Sequence, residues 1–300
     1  MYLHDSRIAI AAAPLLEQAE LSVLIAGAVV VLAGAVYIAR RSRWRDMAGL
    51  PATAPHEIRA VDLLIAFYAF LFVTPMLAQL VALAGGPVPT TQPATPAGGD
   101  TAGAWAAVAT KVIGQGINCL ILLSIGRRRF SAGLAGWGLT RRSLGRRVAL
   151  AGAIYLACWP VCTGLLKATT WLRAYLGAGP PEEHPAIRLL RDGSVPTGVV
   201  VLTIVSAAIL APILEELLFR GLLQPALAKR RRSAWQGVVL SGLVFGMIHI
   251  QVAQTVPALI FFGLVLGYIY AKTGSLTLVI LVHAVFNAKT ILWLMIDSAS

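Results

Sequence analysis

The sequence predicts an all-α fold, a polytopic membrane helix bundle of about eight transmembrane helices. Three observations predict it. Hydrophobic residues make up 58% of the 300 residues and only 13% are charged, about half the charged share of a soluble globular protein. The apolar residues fall in runs of about 20, the length a helix needs to cross a hydrocarbon core. The basic residues gather in short clusters between those runs, as they do in cytoplasmic loops. No single water-soluble core encloses so much apolar surface, which excludes a soluble enzyme, a disordered chain and a disulfide-rich secreted module.

The elements follow in order. The stretch Ile8–Leu16 is too short to span and lacks a basic start and a cleavage site, so residues 1–20 read as an interfacial segment. Spans are expected at 21–39, 61–84, 104–125 and 148–166, then at 198–227, 236–254, 255–271 and 276–296. Only a polar patch at Gln251–Thr255 separates the sixth span from the seventh. The 85–103 loop is rich in Gly, Pro and Thr and is expected to be a flexible external linker. The 167–197 loop holds an amphipathic pattern at His184–Arg191, suited to the membrane surface. Glu182 and Glu183 in that loop read as solvated carboxylates.

Charge orients the chain. Seventeen basic residues fall on one side: the cluster from Arg40 to Arg45 with Arg59, then Arg127–Arg129 with Arg141, Arg142, Arg146 and Arg147, then Lys229–Arg232 and Lys272. Five, namely Arg7, Lys167, Arg173, Arg188 and Arg191, fall on the other. The positive-inside rule then places both termini outside. The net charge of +12 is therefore a mark of topology, and no nucleic-acid partner is expected. Cys119, Cys158 and Cys162 lie inside spans without a CxxC pair, which gives neither a disulfide framework nor a zinc site. Cys158 and Cys162 share a helical face and read as packing.

An ionisable residue inside a span is costly and marks a functional site by default. Leu210–Leu223 carries Glu215, Glu216 and Arg220 in an otherwise apolar run, Phe245–His249 reads FGMIH, and His283–Asn287 reads HAVFN. Glu216 and Arg220 are four apart on one helical face and suit an ion pair. Glu215 points about 100° away, leaving it free for chemistry. Pro212, three residues earlier, weakens the local backbone hydrogen bonding and leaves room for water. In a helical hairpin turning at Arg232, Glu215 and His249 lie at matching levels, both about 25 Å from the turn. Gly242 and Gly246 form a small-xxx-small pattern for close helix approach. Glu215, His249, His283 and Asn287 therefore suit one buried polar site, against the blander reading in which they only hold helices together. Asp62 and Lys111, near span ends, are expected to snorkel to the interface. Lys289 lies on a different face from Asn287, within reach of the outer boundary. Gly263 and Gly267 suit internal packing or dimerisation equally.

At these residues the chain resembles the CPBP family, the CAAX-protease and bacteriocin-processing (Abi) intramembrane proteases related to type II CAAX prenyl endopeptidases. That family is marked by EExxxR, FxxxH and HxxxN motifs on separate helices. They read here Glu215-Glu216-Leu217-Leu218-Phe219-Arg220, Phe245-Gly246-Met247-Ile248-His249 and His283-Ala284-Val285-Phe286-Asn287. The run Gly263–Tyr268 and the segment Thr273–Leu276 also look like the family's link between its second and third motifs. The likeness covers about residues 195–290. It divides the chain into the interfacial segment 1–20, N-terminal transmembrane helices over 21–194, and a CPBP-like core over 195–296.

The resemblance implies a glutamate-dependent, metal-independent endopeptidase without a cofactor, acting on a membrane-associated peptide or protein. Glu215 would activate water, with His249 holding it. His283 and Asn287 would stabilise the oxyanion, and Glu216, Arg220 and Phe245 would support the site. Amide hydrolysis needs such a base and such donors. Two other readings stand beside this one. Glu215, His249 and His283 are residue types that suit zinc, though no HExxH is present and Asn is an uncommon ligand. A non-proteolytic immunity or scaffold protein would use the same cluster as glue or as a binding site. The expected location is a bacterial cytoplasmic membrane, with the chain as a multi-pass protein in the bilayer.

Overall fold

The computed structural model describes residues 18, 20–30, 50, 56–87, 101–141, 143–179 and 195–299. Eight helices of more than ten residues run through them, besides the single turn Gly133–Gly136: α1 Glu20–Val30, α2 Ala60–Leu83, α3 Thr101–Arg129, α4 Leu144–Tyr175, α5 Thr197–Arg231, α6 Ala234–Met247, α7 Val256–Thr273 and α8 Leu276–Ala299. The all-α polytopic bundle is thus the observed fold. Ile8–Leu16, the end of the first expected span, the cluster from Arg40 to Arg45, most of the 85–103 linker and His184–Arg191 with Glu182 and Glu183 lie outside the described residues.

Six helical stretches among the described residues are long and apolar enough to cross a membrane. The expected sixth span, 236–254, is instead a short helix. α6 has 14 residues, which is about 21 Å against a core of about 30 Å. The helix stops at His249. The His249 amide reaches Gly246 O at 3.1 Å, a 3-10 step, and its own ring bonds Phe245 O at 3.0 Å. A 3-10 segment, Ile250–Thr255, then reverses the chain into α7.

α5 is the central helix. Every residue from Glu216 to Pro225 is buried, as expected of a helix apolar on all sides. It is continuous but contains two π turns, Ser206–Leu210 and Leu217–Leu223. Around it pack α2, α3, α6, α7 and α8. The α6–α7 hairpin closes on glycines: Gly263 meets the Gly242 backbone, and a Cβ on Gly246 would stand 2.8 Å from Ile260 N. Gly267 faces Gln224 and Val238, so both glycines of the Gly263–Gly267 pair serve internal packing. Cys158 and Cys162 are buried, and the Cys162 thiol meets Ala258 O at 3.9 Å.

The loops that carry the basic clusters meet at one end of the bundle. Glu57 N donates to Arg129 O at 2.8 Å beside a bridge between His56 and Phe130. Lys229 Nζ donates to His56 O at 3.1 Å. Thr140 N donates to Thr277 Oγ1 at 3.0 Å, and Gly138, at φ 86°, lets that loop lie against the Gly274 backbone. Asp62 does not snorkel. It is buried, caps Arg59 N at 2.7 Å and pairs with Arg129 at 3.0 Å. Lys111 is not near a helix end either, because α3 begins at Thr101. Lys289 turns inward, with its ammonium 3.1 Å from the Trp159 ring centre and 4.2 Å from that of Trp293.

Candidate active site

Of the sequence-predicted residues, Glu215, Glu216, Arg220 and His283 come together between α5, α7 and α8, while His249 lies across the Phe245 ring and Asn287 reaches the first π turn. Arg220 and Glu216 form the i,i+4 pair expected, Nη1 to Oε1 at 2.9 Å, with both side chains wholly buried. The other arm of the guanidinium donates to Gly263 O at 2.9 Å, and its centre lies 4.4 Å from the Phe245 ring. One turn on, Gln224 Nε2 donates to Gly267 O at 2.9 Å. Two polar side chains of α5 thus address two glycine carbonyls of α7, where the missing side chains allow the approach.

His283 stands between the two carboxylates. Its Nδ1 lies 2.7 Å from Glu216 Oε1, and its Nε2 lies 3.8 Å from Glu215 Oε2. The first is a short, charge-assisted hydrogen bond; the second is too long for one. A water placed about 2.8 Å from both atoms would close that triangle. Phe245 and Phe262 hold the imidazole edge-on, at 5.6 and 5.5 Å between ring centres. Glu215 makes no ion pair with Arg220 among the described residues and keeps 15% of its side-chain surface, as its place on the helix predicted.

His249 comes from the break after α6. With Nδ1–H donated to Phe245 O, the neutral ring presents Nε2 as an acceptor. It lies 5.5 Å from the Phe245 ring, so Phe245 separates the two histidines. Among the described residues Glu215 and His249 share no hydrogen bond. The hairpin register differs from the expected one, in which Glu215 and His249 lie level. Gly237 abuts Ala228, and Ser241 Oγ donates to Phe219 O at 3.3 Å, a pairing that brings Glu215 level with Phe245 one turn further.

Asn287 reaches the first π turn. Ala211 N–H bonds Ser206 O, five residues back. The next amide in that register belongs to Pro212, which has no N–H. Ala207 O is therefore left over, and Asn287 Nδ2 donates to it at 2.9 Å. Glu215, His249 and His283 are not gathered as a metal-ligand set among the described residues.

Two features escaped sequence reasoning. α3 presents Gln115 and Asn118 as buried polar groups, and Gln115 Oε1 accepts from Ser206 Oγ at 2.9 Å in the first π turn. Their three-residue spacing in an apolar run was the available signal. Trp137, wholly buried, donates Nε1–H to Gly221 O at 2.7 Å. Pro225 hints at a free carbonyl there, but nothing local names the donor.

Residues 197–289 match the family model for the type II CAAX prenyl endopeptidase, Rce1-like. That segment contains all three motifs and every polar residue placed at the site so far except those of α3 and Trp137. An Escherichia coli protein described as an uncharacterized 24.3 kDa protein is 33% identical over 106 residues, which is 34% of this chain and 48% of that protein. The chain thus spans about half the length of the curated relative it matches. No solved structure matches.

Proposed function

We propose that this chain, whose residues 197–289 carry the Rce1-like match, is an intramembrane, metal-independent glutamic endopeptidase. Its substrate is a membrane-associated peptide or protein, and it works in a bacterial cytoplasmic membrane with the basic end inside. Glu215 is the general base. It is the carboxylate that does not pair with Arg220, which holds its neighbour. A water beside Glu215 Oε2 and His283 Nε2 is the nucleophile, and His249 Nε2 is a second acceptor for it. Glu215 takes the water's proton and gives it to the leaving amine nitrogen as the tetrahedral intermediate collapses. Until then the oxyanion is held by Nε2–H of His283, doubly protonated with its Nδ1–H on Glu216, and by the second amide hydrogen of Asn287, the first being held by Ala207.

The single observation that carries this reading is the asymmetry of the adjacent glutamates around His283: 2.7 Å to the paired one and 3.8 Å to the free one. Adjacent carboxylates in different environments are pushed toward different roles. Glu216 orients the imidazole, and Glu215 faces the space where water fits. The test is Glu215→Gln in purified full-length protein with a cleavable membrane peptide. Turnover is expected to fall by about 10²–10⁴, the usual worth of a positioned base, with the melting temperature preserved. Turnover near the wild-type level sinks the proposal.

A further inference from the structure

The two π turns of α5 end alike. Pro212 follows the first and Pro225 the second, each two residues after the last π residue. Before each proline the last amide reaches back five residues, Ala211 to Ser206 and Gln224 to Phe219. The ladder then lacks an N–H, and carbonyls within two residues of those acceptors are released. In each turn a side chain from elsewhere takes one up. Asn287 donates to Ala207 O, and Trp137 donates to Gly221 O. Glu215, Glu216 and Arg220 lie between these two anchors.

The Trp137 anchor is built in. Its ring lies against Gly126 and Gly221, and a Cβ on Gly221 would stand 2.5 Å from the indole. Phe130 packs at 5.8 Å between ring centres, and Tyr270 Oη donates to Trp137 O at 3.3 Å. Without the indole donor, Gly221 O would be an unpaired carbonyl in a waterless core. The cheapest remedy is a shift of backbone register, and a slip of one residue turns Arg220 and Glu216 by about 100°.

We infer that Trp137 is a positioning residue: by holding the carbonyl beside Pro225, it keeps α5 in the π register that brings Arg220 to Glu216 and Glu216 to His283. It lies outside the matched segment and touches neither carboxylate. Its effect on turnover passes through the backbone.

The kinetic readout rests on the endopeptidase reading, so wild type and Glu215→Gln are assayed alongside in the full chain. Trp137→Phe keeps a ring and removes the donor. It is expected to lower kcat at least about tenfold with KM within about twofold, and to speed amide exchange in 215–224 alone. Adding Pro225→Ala gives Gly221 O a backbone donor in α register. That double variant is expected to regain the melting temperature and not kcat. Pro225→Ala alone, which leaves every contact of the Trp137 ring in place, is expected to lose kcat without losing stability. Unchanged kcat in either single variant, or kcat regained together with the melting temperature, overturns the inference. If wild type cleaves no better than Glu215→Gln, the endopeptidase reading fails and exchange alone decides. A rise confined to 215–224 in Trp137→Phe then upholds the positioning role, and no rise or a general one overturns it.

Discussion

Arg220 serves two helices at once, and its neighbours show why a lysine would not replace it. One arm of the guanidinium meets Glu216 and the other meets Gly263 O, both at 2.9 Å. Only the planar fork of arginine reaches both. Removing it leaves the Glu216 carboxylate buried without a cation, a change that costs about 3–5 kcal/mol where a buried pair is broken from one side. Arg220→Ala is therefore expected to lower the melting temperature in detergent far more than Glu215→Gln does, and Arg220→Lys to fall between them. Equal melting temperatures for Arg220→Ala and wild type would show that Glu216 does not need the cation. This pairing was legible in the sequence, since i,i+4 spacing is local. The contact from Glu216 to His283 was not. It spans 67 positions, and nothing in either motif says which of two adjacent carboxylates an imidazole will choose.

The glycines of α6 and α7 let these helices approach closely, and glycines rank by what a methyl group would meet. A Cβ on Gly246 would press on the Ile260 side chain and stand 2.8 Å from its backbone nitrogen, while one on Gly152 in α4 meets nothing within 4 Å. Gly246→Ala is expected to destabilise by about 1–3 kcal/mol through forced separation of α6 and α7. Gly152→Ala is expected to be neutral or stabilising by up to about 1 kcal/mol, since alanine is the better helix former. Equilibrium unfolding of the two variants checks the order, and a reversed order would mean that the hairpin is not the rigid unit described. At this scale the sequence read the spans well and α6 poorly. Hydropathy records where lipid can cover a segment, but it does not register that the chain turns to 3-10 geometry at His249. The π turns were invisible for the same reason. Pro212 marked a weak point, yet the side chains that meet the π turn before it, Gln115 and Asn287, come from α3 and α8.

The basic end joins loops that are far apart in the chain, and His56 lies in the joint. Burial, with the Lys229 ammonium beside it, holds the imidazole below its ordinary 6.5. A depressed folded value means that the native joint keeps His56 neutral while the unfolded chain takes up a proton first. Stability from this group is thus complete above about pH 6.5 and is lost as pH falls below that. The melting temperature of wild type should drop on acidification from about pH 7.5 to about 5.5, with a shallower drop for His56→Gln. Parallel curves would show that His56 does not titrate in the joint.

The sequence by itself determined the environment and the chemical inventory. Apolar runs of spanning length admit only a helix bundle in lipid, because every backbone group there must be paired internally. Charges are so costly in those runs that Glu215, Glu216, Arg220, His249 and His283 stand out unaided. The tertiary structure alone decided how that inventory is arranged: Glu216 bound to both Arg220 and His283, Glu215 apart from Arg220 with its carboxylate 3.8 Å from His283, and α5 held in π register at two prolines by Asn287 and Trp137. The physical reason is that a carbonyl released by proline is a local fact, while the donor that satisfies it is chosen by whichever distant segment packs there.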